Sequence, residues 1–182
     1  MHEWNVVLTS HPNQEQRLLQ EVAGLGEFQP SGFREVIVGL VADLQVFLET
    51  LRQRWQTQPF LPEILSTVAP VRAMFPFTLD DLRDRLQEHL EPLAREIDGR
   101  PFYVRLKRRG HKGKIHSQEV EQALDDFLKK EIAAQGFSPV IDFTEPECVV
   151  VVEIIHNQAG VGFVTREHLA RYPFLFPGEL GD

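Results

Sequence analysis

Seven lysine and arginine side chains lie in the segment 100–116, which contains no aspartate or glutamate. They are Arg100, Arg105, Lys107, Arg108, Arg109, Lys112 and Lys114. Residues 1–99 carry 8 basic against 15 acidic side chains, and residues 117–182 carry 4 against 12. Because exposed charges are screened beyond about 10 Å, this local excess matters more than the net charge of −8. Such a segment is able to bind a phosphate chain, while the acidic remainder repels it from other faces.

The first part of this basic segment alternates in the manner of a β-strand. One predicted face carries Phe102, Val104 and Leu106. The opposite face carries Tyr103, Arg105 and Lys107, and it is expected to be exposed. Alternate side chains of a strand lie about 6–7 Å apart, which is comparable to the phosphate spacing along a nucleic-acid strand. Tyr103 on that face would be able to stack on a base or a ribose.

A glycine-flanked loop and a helix start follow the strand. Gly110 to Gly113 predicts a turn, and Ser117 is predicted to cap a helix whose free N–H groups favour an anion. Strand, loop and helix start would then meet at one place. The candidate RNA-binding residues are Arg100, Tyr103, Arg105, Lys107, Arg108, Arg109, His111, Lys112, Lys114, His116 and Ser117.

Other interpretations of these residues stay open from the sequence. Arg105 and Lys107 would serve equally well in ion pairs with a neighbouring strand, for example with Glu153. His111 and His116 lack a nearby carboxylate or cysteine, so a metal site is not expected. The valine run after Cys148 predicts a strand that is buried on both faces near its middle, and Cys148 is expected to be a buried structural thiol.

Acidic and aromatic side chains elsewhere have simpler explanations. The acidic positions 80–91 and 121–126 fit the solvated faces of amphipathic helices, and a docking surface for a partner enzyme is an alternative. The aromatic tail 172–176 is expected to pack or to contact a partner.

The elements that would position the basic segment form two halves. In the first half, strands are predicted at 4–9, 35–41 and near 67–75, with helices between them, in the order β-α-β-α-β. In the second half, a helix follows Thr78, the basic strand and the Ser117 helix come next, and two strands from Cys148 and Val161 end the pattern. This order predicts an α+β protein.

Four motifs of the second half resemble the THUMP family. The basic strand ends in Lys107-Arg108-Arg109-Gly110, and the next helix starts Ser117-Gln118-Glu119-Val120-Glu121. Upstream stands Phe77-Thr78-Leu79-Asp80, and downstream the turn 142–147 precedes the valine run. The resemblance covers roughly 63–166, and the N-terminal half is similar to the ferredoxin-like domain that precedes THUMP in several RNA-modifying enzymes. It therefore implies a ferredoxin-like domain at 1–62 packed on a THUMP-like domain at 63–166, with a tail at 167–182.

THUMP proteins bind tRNA, so the resemblance implies tRNA or another structured RNA as the partner. The family's modules are fused to methyltransferases, a 4-thiouridine synthetase or a deaminase, or they stand alone beside a cytidine acetyltransferase. This chain stops soon after the module and has no Gly-x-Gly-x-x-Gly, phosphate loop or His-x-Glu with paired cysteines. Its loop 111–116 is also longer than the family's.

The expectation is therefore a non-catalytic RNA-binding adaptor for a tRNA-modifying enzyme, without cofactor or metal. A catalytic RNA-modifying enzyme, or a protein-interaction module without RNA binding, are the alternatives. A single cysteine, no secretory signal and no apolar run near 20 residues predict a cytoplasmic protein that does not enter a membrane.

Overall fold

The computed structural model describes residues 2–177 and shows an α+β protein with two four-stranded sheets. The chain divides into two compact units. The first unit contains the residues up to Val71 together with the segment that begins at Glu167, and the second unit is Arg72–Arg166. Each unit contains one of the two sheets.

The first unit has the β-α-β-β-α-β topology of a ferredoxin-like domain. Its strands are β1 (Val6–Ser10), β2 (Glu27–Pro30), β3 (Val36–Leu40) and β4 (Leu65–Pro70). Its helices are α1 (Glu15–Val22), α2 (Leu44–Thr57) and the short α3 (Leu61–Ile64). The sheet order is β2-β3-β1-β4, and all neighbouring strands are antiparallel. The ferredoxin-like expectation is confirmed.

Two details of this unit differ from the sequence pattern. The short strand β2 was not predicted, because its four residues are partly exposed and carry no apolar alternation. The single strand expected near 67–75 is two strands, β4 in the first sheet and β5 (Ala73–Pro76) in the second. Since β4 pairs with β1, the first unit extends to Val71, past the expected boundary between residues 62 and 63.

The chain returns to the first unit at Glu167, near the start of helix α6 (Arg166–Arg171). Tyr172, Phe174 and Phe176 are buried, and the Phe174 carbonyl accepts a hydrogen bond from the N–H of Val68 in β4 at 3.0 Å. The Tyr172 hydroxyl donates to Glu49 at 2.8 Å, and Arg171 also pairs with Glu49. The aromatic residues therefore pack in the first unit, and the expected tail of 167–182 is part of that unit up to Pro177. The last five residues lie outside the described part of the chain.

The second unit contains the basic strand. Its elements are β5, α4 (Leu82–Ile97), β6 (Phe102–Arg109), α5 (Ser117–Ala134), β7 (Cys148–Ile155) and β8 (Gln158–Thr165). The sheet order is β5-β8-β7-β6, with β6 parallel to β7 and the other pairs antiparallel. Helix α5 is the crossover between the two parallel strands, as parallel pairing requires.

The core of the second unit lies between the two long helices and one face of the sheet. The apolar stripes of α4 and α5 supply the helical half, including Leu86, Leu90, Leu124 and Leu128. Phe102, Val104 and Leu106 of β6 supply part of the sheet half, as the alternation predicted. Leu79 does not join this stripe, because α4 begins only at Leu82 and leaves Leu79 exposed.

Strand β7 is buried on both of its faces, and this prediction from the valine run is confirmed. All eight of its residues are buried, including Cys148 at its start. Burial raises the pKa of the Cys148 thiol to about 11. Since the thiolate is the reactive form, the cysteine is both shielded and protonated at neutral pH.

We therefore expect Cys148 to resist alkylation in the native protein. With excess iodoacetamide at pH 8, mass spectrometry should find less than about a tenth of the chain modified over an hour, because the thiol is buried and protonated. The same treatment in denaturant should modify all of it. Rapid native labelling would contradict the burial of β7.

Candidate nucleic-acid interface

Arg105 is a buried ion-pair residue and does not project into solvent. It is 5% exposed, and its Nη1 donates to Oε1 of Glu153 at 2.8 Å. Glu153 is 1% exposed, and its other oxygen accepts from Arg109. The expectation of an exposed Arg105 is wrong, and the alternative of an ion pair with Glu153 is confirmed.

The physical reason is that the second face of the sheet is buried as well. Val149, Val151 and Ile155, which share that face with Glu153, have no exposed surface. A carboxylate in such surroundings is stable only when cations and hydrogen bonds compensate its lost hydration. Arg105 and Arg109 supply this compensation, so their first role is structural.

Tyr103 is also less accessible than the alternation suggested. It is 7% exposed, and its ring centre lies 5.6 Å from that of Phe143. Phe143 itself is 63% exposed. The aromatic ring presented to solvent here is therefore Phe143, which sequence reasoning did not select because it stands in an irregular segment.

Arg100 lies at the other end of the basic strand from the loop. It precedes β6, and its guanidinium donates to the carbonyls of Ile97 at 3.0 Å and Glu96 at 2.7 Å. It also lies 5.9 Å from the ring centre of Phe163. Because an eight-residue strand spans about 25 Å, Arg100 is separated from the loop and does not join its cluster.

Four of the predicted cations stand on the last residues of β6 and on the loop that follows it. We call this set the cationic surface, and it consists of Lys107, Arg108, Lys112 and Lys114. The three lysines are exposed, and Arg108 is half-buried with its Nη1 donating to the carbonyl of Gly110. Each is a donor able to reach a phosphate oxygen from the same end of the domain.

The loop that carries two of these lysines has a defined conformation. Gly110, His111 and Gly113 adopt left-handed backbone angles, with φ of 103°, 53° and 79°. The N–H groups of Lys114 and Ile115 both donate to the His111 carbonyl at 3.0 Å, and the Ile115 side chain is buried. These bonds and the buried Ile115 define the path of the loop backbone that carries Lys112 and Lys114.

The two histidines of the loop differ in their surroundings. A ring nitrogen of His111, Nε2, lies 2.9 Å from the His156 carbonyl, and the ring packs 5.8 Å from that of Phe77. His116 is exposed and occupies the N-cap position of α5 without a side-chain cap. Helix α5 begins at Ser117 itself, so the expectation that Ser117 is the cap is wrong by one position.

In the folded protein, carboxylates from other parts of the chain lie close to the basic segment 100–116, which contains none itself. A cleft beside the loop is lined by Lys114 and His116, and also by Asp80 and Glu119. Arg83 approaches Glu119 at 4.0 Å on the same cleft. The basic character is therefore confined to the cationic surface and does not extend around the whole loop.

The acidic side chains of α5 are more buried than their helical spacing had indicated. Burial, and then repulsion from Glu121, raise the pKa of Asp125 to about 6. Burial also raises the pKa of Glu121, against the opposing effect of Lys107. One oxygen of Asp125 is buried without a hydrogen-bond partner among the described residues.

We expect Asp125→Asn to stabilise the protein at pH 7. Between pH 3.8 and 6 the folded state binds more protons than the unfolded state, so the free energy of unfolding falls as pH rises through that window. Because the side chain remains partly exposed, the gain for asparagine at pH 7 is about 1 kcal/mol, and it disappears near pH 4. Urea unfolding at both pH values measures it. An equal gain at pH 4 and 7 would assign the effect to something other than charge.

Among the described residues, no group of histidine, cysteine and carboxylate side chains has the size and arrangement to hold a metal ion. No helix in residues 2–177 has the length and apolarity to cross a membrane.

Comparison with solved structures shows the same fold in longer proteins. TrmN from Thermus thermophilus has 22% identity and a TM-score of 0.59, covering 88% of this chain and 45% of its own. PH1313 from Pyrococcus horikoshii Ot3 has 11% identity and a TM-score of 0.58, covering 90% and 55%. A 4-thiouridine synthetase, solved as an RNA complex with bound ATP, has 13% identity and a TM-score of 0.55, covering 90% and 42%.

The chain thus spans about half the length of these structures or less, and no curated protein matches its sequence. A family model, described as the THUMP domain, matches residues 77–164. That stretch begins after β5 and ends in β8, so it includes both long helices and the basic strand. The second unit of this protein is a THUMP domain.

Proposed function

We propose that this protein binds structured RNA, namely tRNA, through the cationic surface of its THUMP domain. The observation that carries the proposal is that Lys112 and Lys114, both exposed, stand on a loop of defined backbone conformation directly after the end of β6, which carries Lys107. Lysines held in a defined array bind a sugar–phosphate chain by charge and shape, with no need to read its bases.

The comparisons support RNA as the partner. The domain belongs to a family whose resemblance already implied tRNA binding, and one structure of the same fold contains RNA. The family match includes the cationic surface, and the structural match covers 90% of this chain. Arg100, Arg105 and Arg109 stabilise the fold of this region. The four cations of the cationic surface make the contacts to RNA.

We further propose that the chain acts as an adaptor and that a partner enzyme modifies the tRNA. The similar structures include a putative methyltransferase complexed with SAH, of which this chain covers 41%. The part that is shared is therefore less than half of a protein described as catalytic. A cytoplasmic location fits this role and remains a prediction.

Binding of tRNA transcripts measured across a salt series tests the proposal. If the four cations of the cationic surface contact phosphates, log affinity should fall against log salt with a slope of about −3 to −4. Absence of binding at 50 mM salt would favour a protein-interaction module. Calorimetric titration with S-adenosylmethionine and acetyl-coenzyme A is the companion experiment, and clear binding of either would favour a catalytic enzyme.

A further inference from the structure

The outer edge of β6 carries unpaired backbone groups. β6 is the last strand of its sheet, and the order β5-β8-β7-β6 leaves one side of it without a neighbouring strand. In the described part of the chain, that side is paired only at Phe102, by an isolated parallel bridge to Ile141. The Phe102 N–H donates to the Val140 carbonyl at 3.0 Å, and its carbonyl accepts from Asp142 at 2.9 Å.

Backbone N–H and C=O groups alternate in direction along a strand, so the direction at Phe102 gives the direction at the later residues of β6. Because Phe102 directs its N–H and C=O away from β7, Val104, Leu106 and Arg108 do so as well. Val104 and Leu106 are 5% and 6% exposed, whereas the bridged Phe102 is fully buried.

The chain's own segment leaves this edge after a single bridge. The side-chain oxygen Oδ1 of Asp142 accepts hydrogen bonds from the N–H groups of Thr144 and Glu145, both at 2.9 Å. These bonds fold residues 142–145 into a turn and hold the pKa of Asp142 below its usual range. Beyond Phe102, no strand within residues 2–177 pairs with this edge of β6.

We infer that this edge binds an extended, acidic peptide of a partner protein as an added β-strand. A peptide supplies alternating donors and acceptors at the spacing of a strand, which is what Val104, Leu106 and Arg108 present. A phosphate chain supplies acceptors alone, so RNA does not match this edge. The parallel bridge at Ile141 sets the direction, and the guest strand runs parallel to β6.

The side chains beside the edge define the peptide's chemistry. At the end nearer the bridge, the exposed ring of Phe143 next to Tyr103 offers an apolar contact. At the far end, Lys107 and Arg108 favour carboxylates. A second copy of the chain fits less well, because two β6 edges would place one basic strand against another.

Amide hydrogen exchange in the free protein provides the first test. We expect the amides of Val104 and Leu106 to exchange at least about 100-fold faster than those of Arg105 and Lys107, which bond to β7. Slow exchange at all four amides would mean that the edge is already covered, and this would overturn the inference.

The second test uses the fluorescein-labelled peptide Phe-Val-Glu-Val-Glu-Glu. We expect it to bind with a Kd below about 100 μM and to slow exchange at Val104 and Leu106. Methylation of its alternate backbone nitrogens should weaken binding at least about 10-fold, as should replacement of its glutamates by lysines.

Three results would overturn the inference. They are no binding of the peptide at millimolar concentration, equal binding of the N-methylated peptide, and protection of the same amides by tRNA or by self-association at high protein concentration. Since tRNA binding is measured separately, failure of the peptide leaves the proposed function intact. Success of both predicts competition, because the two ligands share Lys107 and Arg108.

Discussion

Arg105→Ala is expected to destabilise the protein by about 3–5 kcal/mol. Without Arg105, the buried carboxylate of Glu153 keeps Arg109 as its ion-pair partner among the described residues. Domains of this size are stable by only about 5–15 kcal/mol, so the variant should unfold at a much lower denaturant concentration or fail to accumulate. Urea unfolding followed by circular dichroism measures the effect.

Lys107→Ala is the matched control, two residues along the same strand. Its side chain is exposed, so its effect on stability should stay within about 0.5 kcal/mol. A second control replaces the pair, with Arg105→Met and Glu153→Leu together. Because an apolar pair needs no compensating charge, this variant should recover most of the lost stability, with Arg109 turning to solvent. Equal destabilisation by the single and double variants would contradict the ion-pair explanation.

Lys112→Glu combined with Lys114→Glu should reduce tRNA affinity by about 100-fold, roughly 3 kcal/mol, at 0.1 M salt. Both side chains are exposed, so the variant should unfold at the same urea concentration as the original protein. Two phosphate contacts are lost, and the slope of log affinity against log salt should become shallower by about 2. Filter binding across the salt series measures both quantities.

The matched control for this charge reversal is Arg95→Glu with Lys130→Glu. These residues are exposed on α4 and α5, and the change in net charge is the same. Affinity should fall by less than about 5-fold, since only the long-range field changes. A similar loss in both variants would show that total charge, and not the cationic surface, determines RNA binding.

The local elements of the second unit were predictable from the sequence. The alternation of Phe102, Val104 and Leu106 predicted a strand with that face in the core, and the valine run predicted a strand buried on both sides. These predictions were confirmed because the spacing of apolar residues along a segment reflects which of its sides packs against the core. The motif order also predicted the THUMP domain, which the match at 77–164 confirmed.

The boundaries of the units were less predictable. The strand expected near 67–75 has β character throughout, and nothing local shows that Val71 and Arg72 separate two sheets. The aromatic residues from Tyr172 to Phe176 likewise have no period that would assign them to the first unit. The first depends on the pairing of β4 with β1, about 60 residues away along the chain, and of β5 with β8, about 85 residues away. The second depends on the hydrogen bond between Val68 and Phe174, about a hundred residues apart.

The candidate site was likewise predictable from the sequence only in part. The sequence by itself determined which cations stand together along the chain, that a strand and a glycine loop carry them, and that a helix follows. Only the tertiary structure decided how these cations are used. It placed Glu153 against Arg105 and Arg109, bonded the Arg100 guanidinium to the carbonyls of Ile97 and Glu96, and left Lys112 and Lys114 exposed. The reason is that alternation tells which side chains share a face of a strand, whereas the burial of that face depends on chain segments distant in sequence.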